Sequence, residues 1–144
     1  MSQAERLYTP ELLSLTLRLA EYPWKEGLPL VGEARSRSCG STLTLGAETD
    51  SAGRIAHIGL RVHACAVGQA AAAIFAAGAQ GKDAGTLEQA LSDLEAWLEG
   101  KAPLPGWPGL EAIQPAQAFP ARHGAMLLPW QAALAALSTT RTSG

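Results

Sequence analysis

Two alternating runs joined by a short polar turn constrain this chain more than any other feature. In residues 42–48, Leu43, Leu45 and Ala47 fall on one side, and Thr42, Thr44 and Glu48 fall on the other. After the turn Asp50-Ser51-Ala52-Gly53 the pattern resumes. Ala56, Ile58, Leu60 and Val62 share one side, and His57, Arg61 and His63 share the other. A period of two on both sides of a Gly-containing turn specifies a β-hairpin of half-buried antiparallel strands. A third strand is expected just before it, around Leu30–Arg35.

The flanking segments read as helices. Thr9-Pro10-Glu11 supplies an N-cap, a proline at the first helical position and an acid in the first turn. That cap favours a helix for Leu12 to Leu19, although the leucines from Leu13 to Leu19 also alternate as a strand would. Residues 22–32, holding Pro23, Gly27 and Pro29, form a connector. Beyond the hairpin, Ala66–Ala79 is an Ala-rich helix, and Thr86-Leu87-Glu88-Gln89 is a capping box opening another. Leu87, Leu91, Leu94 and Leu98 form the apolar stripe of that second helix. Residues 100–109 are rich in Pro and Gly and read as a linker that Trp107 packs down. A last helix carries Leu127, Trp130, Leu134 and Leu137, with Pro129 inside it or opening it, and residues from Thr139 onward are expected to fray. The four tryptophans, Trp24, Trp97, Trp107 and Trp130, are expected to anchor the core. A few strands followed by a run of helices gives an α+β fold: a small three-stranded antiparallel sheet packed against a layer of helices.

Composition bounds the function. A chain of 144 residues with 47% hydrophobic residues is enough for one domain with a real core. A net charge of −2 leaves no broad basic footprint for nucleic acid; Arg35 and Arg37 make only a local basic spot. The most apolar stretch, residues 64–79, falls short of the ~20 residues a membrane span needs, and no secretory pattern opens the chain. A soluble cytoplasmic protein is therefore expected, and in that compartment its two cysteines are reduced thiols rather than a disulfide.

Few residues can carry chemistry. Cys39 precedes a strand beside Gly40, which permits close backbone approach to a ligand. Cys65 stands where a strand ends and the Ala-rich helix begins, a place that stabilises a thiolate. Read from the residues alone, each is either a small buried hydrophobe or a ligand. His57, His63 and His123 are each either solvated or available to a metal. His63 lies two residues before Cys65, and Cys39, Cys65, His63 and His123 are the side chains that could hold iron or zinc. No C-x-x-C or H-x-x-x-H spacing is present. No P-loop, no Gly-rich dinucleotide motif and no recognisable Cys–His nucleophile appears, so no enzymatic activity is expected.

Taken in order, the motifs say more than they do singly. A helix opens with Tyr8-Thr9-Pro10-Glu11-Leu12-Leu13, followed by Cys39-Gly40-Ser41-Thr42-Leu43-Thr44-Leu45. The hairpin through Gly53-Arg54-Ile55 leads to Ala64-Cys65-Ala66, then to Gly81-Lys82 and Thr86-Leu87-Glu88-Gln89-Ala90. Phe119-Pro120-Ala121-Arg122 and Leu127-Leu128-Pro129-Trp130 complete the series. From about Tyr8 to Leu137 this order closely resembles the NifU N-terminal/IscU-type family of iron–sulfur cluster assembly scaffolds.

The resemblance implies a [2Fe–2S] cluster built on three cysteines with help from an aspartate, using sulfur from a cysteine desulfurase. Carried over position by position, the first two cysteines are Cys39 and Cys65. The aspartate falls on Ser41 and the third cysteine on Ala125, with Gly124 at the Lys or His position before it. His123, two positions upstream, is the nearest substitute. The cofactor implied is a [2Fe–2S] cluster, or iron or zinc, held by Cys39 and Cys65 with reduced capacity. A homodimer giving two cysteines from each chain would supply four thiolates. The implied partners are a cysteine desulfurase and other iron–sulfur assembly proteins, with no nucleic acid and no membrane. The alternative is a degenerate, cluster-free module that keeps the surface for a desulfurase.

Overall fold

The computed structural model describes residues 7–37 and 40–142. Its sheet has three antiparallel strands in the order β1 (Leu30–Arg35), β2 (Thr42–Thr49) and β3 (Ile55–His63). Among the described residues they are accompanied by the α-helices α1 (Pro10–Arg18), α2 (Ala66–Ala79), α3 (Ala84–Leu98) and α4 (His123–Thr142). The expected α+β architecture is the observed one.

The hairpin alternation places Leu43, Leu45, Ala47, Ile58 and Leu60 in the core. A register shift at Glu48/Thr49 pairs Thr49 with Ile55, so Ile55 is buried and Ala56 only partly so. Helix α4 lies across β1 and β2, α2 packs beside it toward β3, and α1 and α3 cover these from outside. The approach of α4 to the sheet is very close at Gly32. A Cβ there would stand 2.2 Å from the Ala132 carbonyl oxygen and 2.3 Å from the Ala136 nitrogen, both backbone atoms of α4.

The opposite face of the sheet is covered in its middle by the connector. Gly46 and Gly59 are cross-strand partners and make a flat patch there. A Cβ on Gly59 would lie 2.8 Å from the Pro23 carbonyl oxygen, and one on Gly46 would meet Leu28 at 3.1 Å. Trp24 lies on this patch, with the Arg61 guanidinium 4.6 Å from its ring centroid. Trp24 is therefore half-buried outside the core, unlike Trp97, Trp107 and Trp130, which are buried within it. Phe75, Trp107 and Trp130 form one aromatic cluster, and the Trp107 indole N–H donates to the Ile74 carbonyl at 3.0 Å.

One local expectation changes, and the structure adds detail to two others. Helix α3 begins at Ala84, and Asp83, not Thr86, is its N-cap: the Asp83 carboxylate accepts from the Thr86 backbone N–H at 2.9 Å. The Pro/Gly-rich stretch does pack through Trp107, but it is followed by a 3-10 stretch, Leu110–Ala118, that no periodicity signalled. Pro129 lies inside α4, which starts six residues earlier at His123. Proline has no N–H, so the Ala125 carbonyl loses its helical donor.

Candidate functional site

The site-bearing segments meet at one end of the sheet because of how the strands pair. Thr42 opposes Arg35 on one side and His63 on the other, so the β1–β2 loop and the end of β3 abut. The loop is closed by the Ser36 N–H donating to the Ser41 carbonyl at 2.8 Å and the Gly40 N–H donating to the Ser36 carbonyl at 3.0 Å. Gly40 adopts φ +69°, a left-handed turn that suits glycine. Cys39 lies outside the described residues, between Arg37 and Gly40 of this closed loop. Ser36 and Ser41 are buried and their polar groups are engaged.

Cys65 caps α2 in an extended conformation (φ −65°, ψ 171°), and its side chain makes no capping bond. Its thiol is free and half-buried against the core. Gln69 holds this turn twice. Its backbone N–H donates to the Cys65 carbonyl at 2.9 Å, and its side-chain amide donates to the Ala64 carbonyl at 2.9 Å. From the sequence alone, Gln69 is assigned no role. The signal was there: a lone amide one turn after a strand–helix junction can satisfy the carbonyl left free before the N-cap.

Ala125, the third position of the resemblance, is fully buried at the start of α4. It faces the first turn of α2: a Cβ added to Gly68 would lie 3.2 Å from the Ala125 Cβ and 2.7 Å from the Ala64 Cβ. The second and third ligand positions of the pattern are thus brought to adjoining helix starts. In this chain the third is filled by tight packing of small residues.

The histidines are not assembled around the thiol. His123 begins α4, and its Nε2 meets the Gln117 carbonyl at 2.8 Å, so Nε2 carries the proton and only Nδ1 keeps a lone pair. Gln117 in turn donates to the Trp97 carbonyl. His63 is exposed at the end of β3, and His57 pairs with Glu48 across the strands at 3.0 Å, farther along the sheet. Among the described residues, no three His, Cys, Asp or Glu side chains converge to hold a metal ion.

Among the described residues, the two perturbed carboxylates lie at the other end. The Arg54 backbone N–H, followed by that of Ala52 and the charge of Arg54, holds Asp50 below the usual carboxylate range. The Thr86 backbone N–H does the same for Asp83. Both line a groove of about 480 Å³ between the hairpin turn and the start of α3. Their hydrogen bonds mark a turn and a helix cap, and the groove is remote from Cys65. No helix among the described residues is long and apolar enough to cross a membrane.

No family model matches the sequence, and neither does any curated protein. Solved structures do match. A nitrogen-fixing NifU-like protein (N-terminal) from Brucella abortus superposes with a TM-score of 0.88 at 23% identity, covering 99% of this chain and 100% of that one. A putative iron–sulfur cluster assembly scaffold protein for the SUF system from Fervidobacterium islandicum AW-1 gives a TM-score of 0.80 at 22% identity, covering 93% and 98%. Over nearly its whole length, the chain has the fold of the NifU-like N-terminal and related iron–sulfur scaffold proteins.

Proposed function

We propose that this chain is a scaffold-type, non-catalytic protein of iron–sulfur cluster assembly. It takes a [2Fe–2S] cluster, or iron or zinc, as cargo on Cys39 and Cys65 and works with a cysteine desulfurase. The observation that carries this reading is the meeting of the β1–β2 loop, the Cys65 cap and Ala125 at one end of a fold shared with scaffold proteins. The donor set of one chain is smaller than the three or four thiolates a cluster normally takes. Ser41 and Ala125 supply no thiolate or carboxylate, which gives a reduced capacity or a cluster shared by the thiols of two chains. His123 would enter only through Nδ1.

The burial of Ala125, whose methyl offers no ligand at the third position, favours a second reading. In it the chain is a cluster-free module that retains the desulfurase surface.

Anaerobic reconstitution with iron and sulfide, read by visible absorption and metal analysis, separates the two. Substoichiometric colour that disappears in Cys39→Ala and in Cys65→Ala, and that increases in the Ser41→Asp/Ala125→Cys double variant, supports the cargo-binding reading. Colourless, metal-free protein that still binds the desulfurase leaves only the second.

A further inference from the structure

The face of the sheet opposite α4 is divided by charge. Toward the hairpin turn the His57 ring meets the Glu48 carboxylate at 3.0 Å. Toward the Cys39 loop the pattern differs. Arg35, Thr42 and His63 form one cross-strand row, and Glu33, Thr44 and Arg61 form the next. Cross-strand partners share a face, and so do residues two apart in one strand. Arg35, Arg61 and His63 are therefore side by side and exposed, with Arg37 just beyond in the loop.

Among the described residues, none of Arg35, Arg37 and Arg61 has a carboxylate at ion-pair distance. The one acid in these rows, Glu33, accepts from the Thr44 hydroxyl at 3.3 Å. Arg61 is steadied by the ring of Trp24, which leaves its N–H groups uncommitted to any carboxylate. Three unpaired guanidinium groups thus border the loop of Cys39 and the end of β3 that leads to Cys65, in a chain whose net charge is −2.

We propose that this face is a docking surface for an acidic polypeptide segment of the sulfur-donating desulfurase, which it guides to the Cys39/Cys65 end of the sheet. The inference rests on the scaffold reading above. Guanidinium groups bind carboxylates in bidentate fashion, and an exposed patch of one sign steers encounter with a partner of the other. Such a surface acts mainly on association rate, and screening weakens it as the Debye length shortens.

The test measures affinity of the full chain for the desulfurase from the same organism, between roughly 50 and 300 mM salt. The Arg35→Glu/Arg37→Glu variant should bind at least about tenfold more weakly at low salt and lose most of the salt dependence. Arg35→Ser/Arg37→Ser should show a smaller loss in the same direction. Lys101→Glu, on the helical side, should stay within about twofold of the unaltered chain. Reconstitution with inorganic sulfide, which needs no donor protein, should be unchanged in all of them. If the unaltered chain binds the desulfurase and both arginine variants match it, the proposal is overturned while the scaffold reading stands. If the unaltered chain does not bind the desulfurase at all, both the donor partnership and this surface fall. If it binds but takes up no cluster from inorganic sulfide, only the cargo-binding reading falls.

Discussion

Gly32→Ala should destabilise this protein, although it exchanges glycine for a better strand former. Gly32 sits mid-strand with an ordinary negative φ, so alanine meets no backbone strain there. Backbone entropy alone favours the alanine by about 0.5–1 kcal/mol. Packing opposes it more strongly. The new methyl would lie 2.2 Å from the Ala132 oxygen, 2.3 Å from the Ala136 nitrogen and 2.9 Å from the Ala135 carbonyl carbon. All three belong to the α4 backbone, so no side chain can rotate away. Restoring ordinary contact requires α4 and the sheet to separate by about 1 Å, a gap that forfeits a quarter to a half of each affected dispersion contact. Ala125, Ala132, Ala136 and Leu128 lie on the buried part of α4 and would all lose contact. Overpacking of this kind costs about 1–3 kcal/mol, with this site at the upper end because the obstruction is backbone. The net loss is about 2 kcal/mol, or roughly 6 °C in Tm for a chain of this size. Thermal unfolding followed by circular dichroism measures it. Gly85→Ala is the control: it lies in the first turn of α3, its nearest neighbour is an Asp83 oxygen at 3.7 Å, and it should gain up to about 1 kcal/mol. A Gly32→Ala protein as stable as the unaltered chain would refute the packing argument.

Gln69→Met keeps the length of the side chain but removes the donor to the Ala64 carbonyl. A part-buried bond worth about 1 kcal/mol holds the opened form of the Cys65 turn down about fivefold. Alkylation of Cys65 in a Cys39→Ser background should accelerate by about that factor, and an unchanged rate would remove Gln69 as a positioning residue. Asp50 and Asp83 have folded-state pKa values below their unfolded ones. Their contribution to stability is fully present above the unfolded value near 3.9 and is lost as pH falls through the lower folded values. Denaturant midpoints measured from neutral pH downward should fall in that acid window, and less steeply in Asp50→Asn/Asp83→Asn. Identical acid limbs for the two proteins would show that these hydrogen bonds do not outlast the turn and cap in solution.

The parts of the fold that were legible are those in which one residue pattern decides one local geometry. The hairpin and the capped helix α1 announce themselves by alternation or by a cap. The misread positions are those where a distant partner decides. Thr86 and Asp83 can both cap a helix, and Asp83 prevails because the chain is pinned up to Lys82. The Gly81 N–H donates to the Ile55 carbonyl at 2.8 Å, and the Ile55 N–H to the Lys82 carbonyl at 2.9 Å, so the next residue is the first free to cap. Trp24 reads as a core anchor until Gly46 and Gly59 are known to pair across strands and to form the patch beneath it. The candidate site divides the same way. The order of its motifs is visible in the chain, but the adjacency of Ala125 to the turn after Cys65, and the Gln117 carbonyl that occupies His123, arise only from packing.

That packing also explains how this fold can stand without a full set of ligands. The core is built from the inward residues of the hairpin, the alanines of α2 and α4 and the cluster of Phe75, Trp107 and Trp130, with Cys65 only at its margin. A ligand at position 125 projects from a helix start toward the small residues Ala64 and Gly68, so an alanine there closes the gap and leaves no cavity to destabilise the fold. Loss of a ligand at such a place is nearly free for folding and costly only for cargo. Stability and metal binding are therefore separable in this chain. The Ser41→Asp/Ala125→Cys variant should gain metal without gaining Tm in the metal-free state.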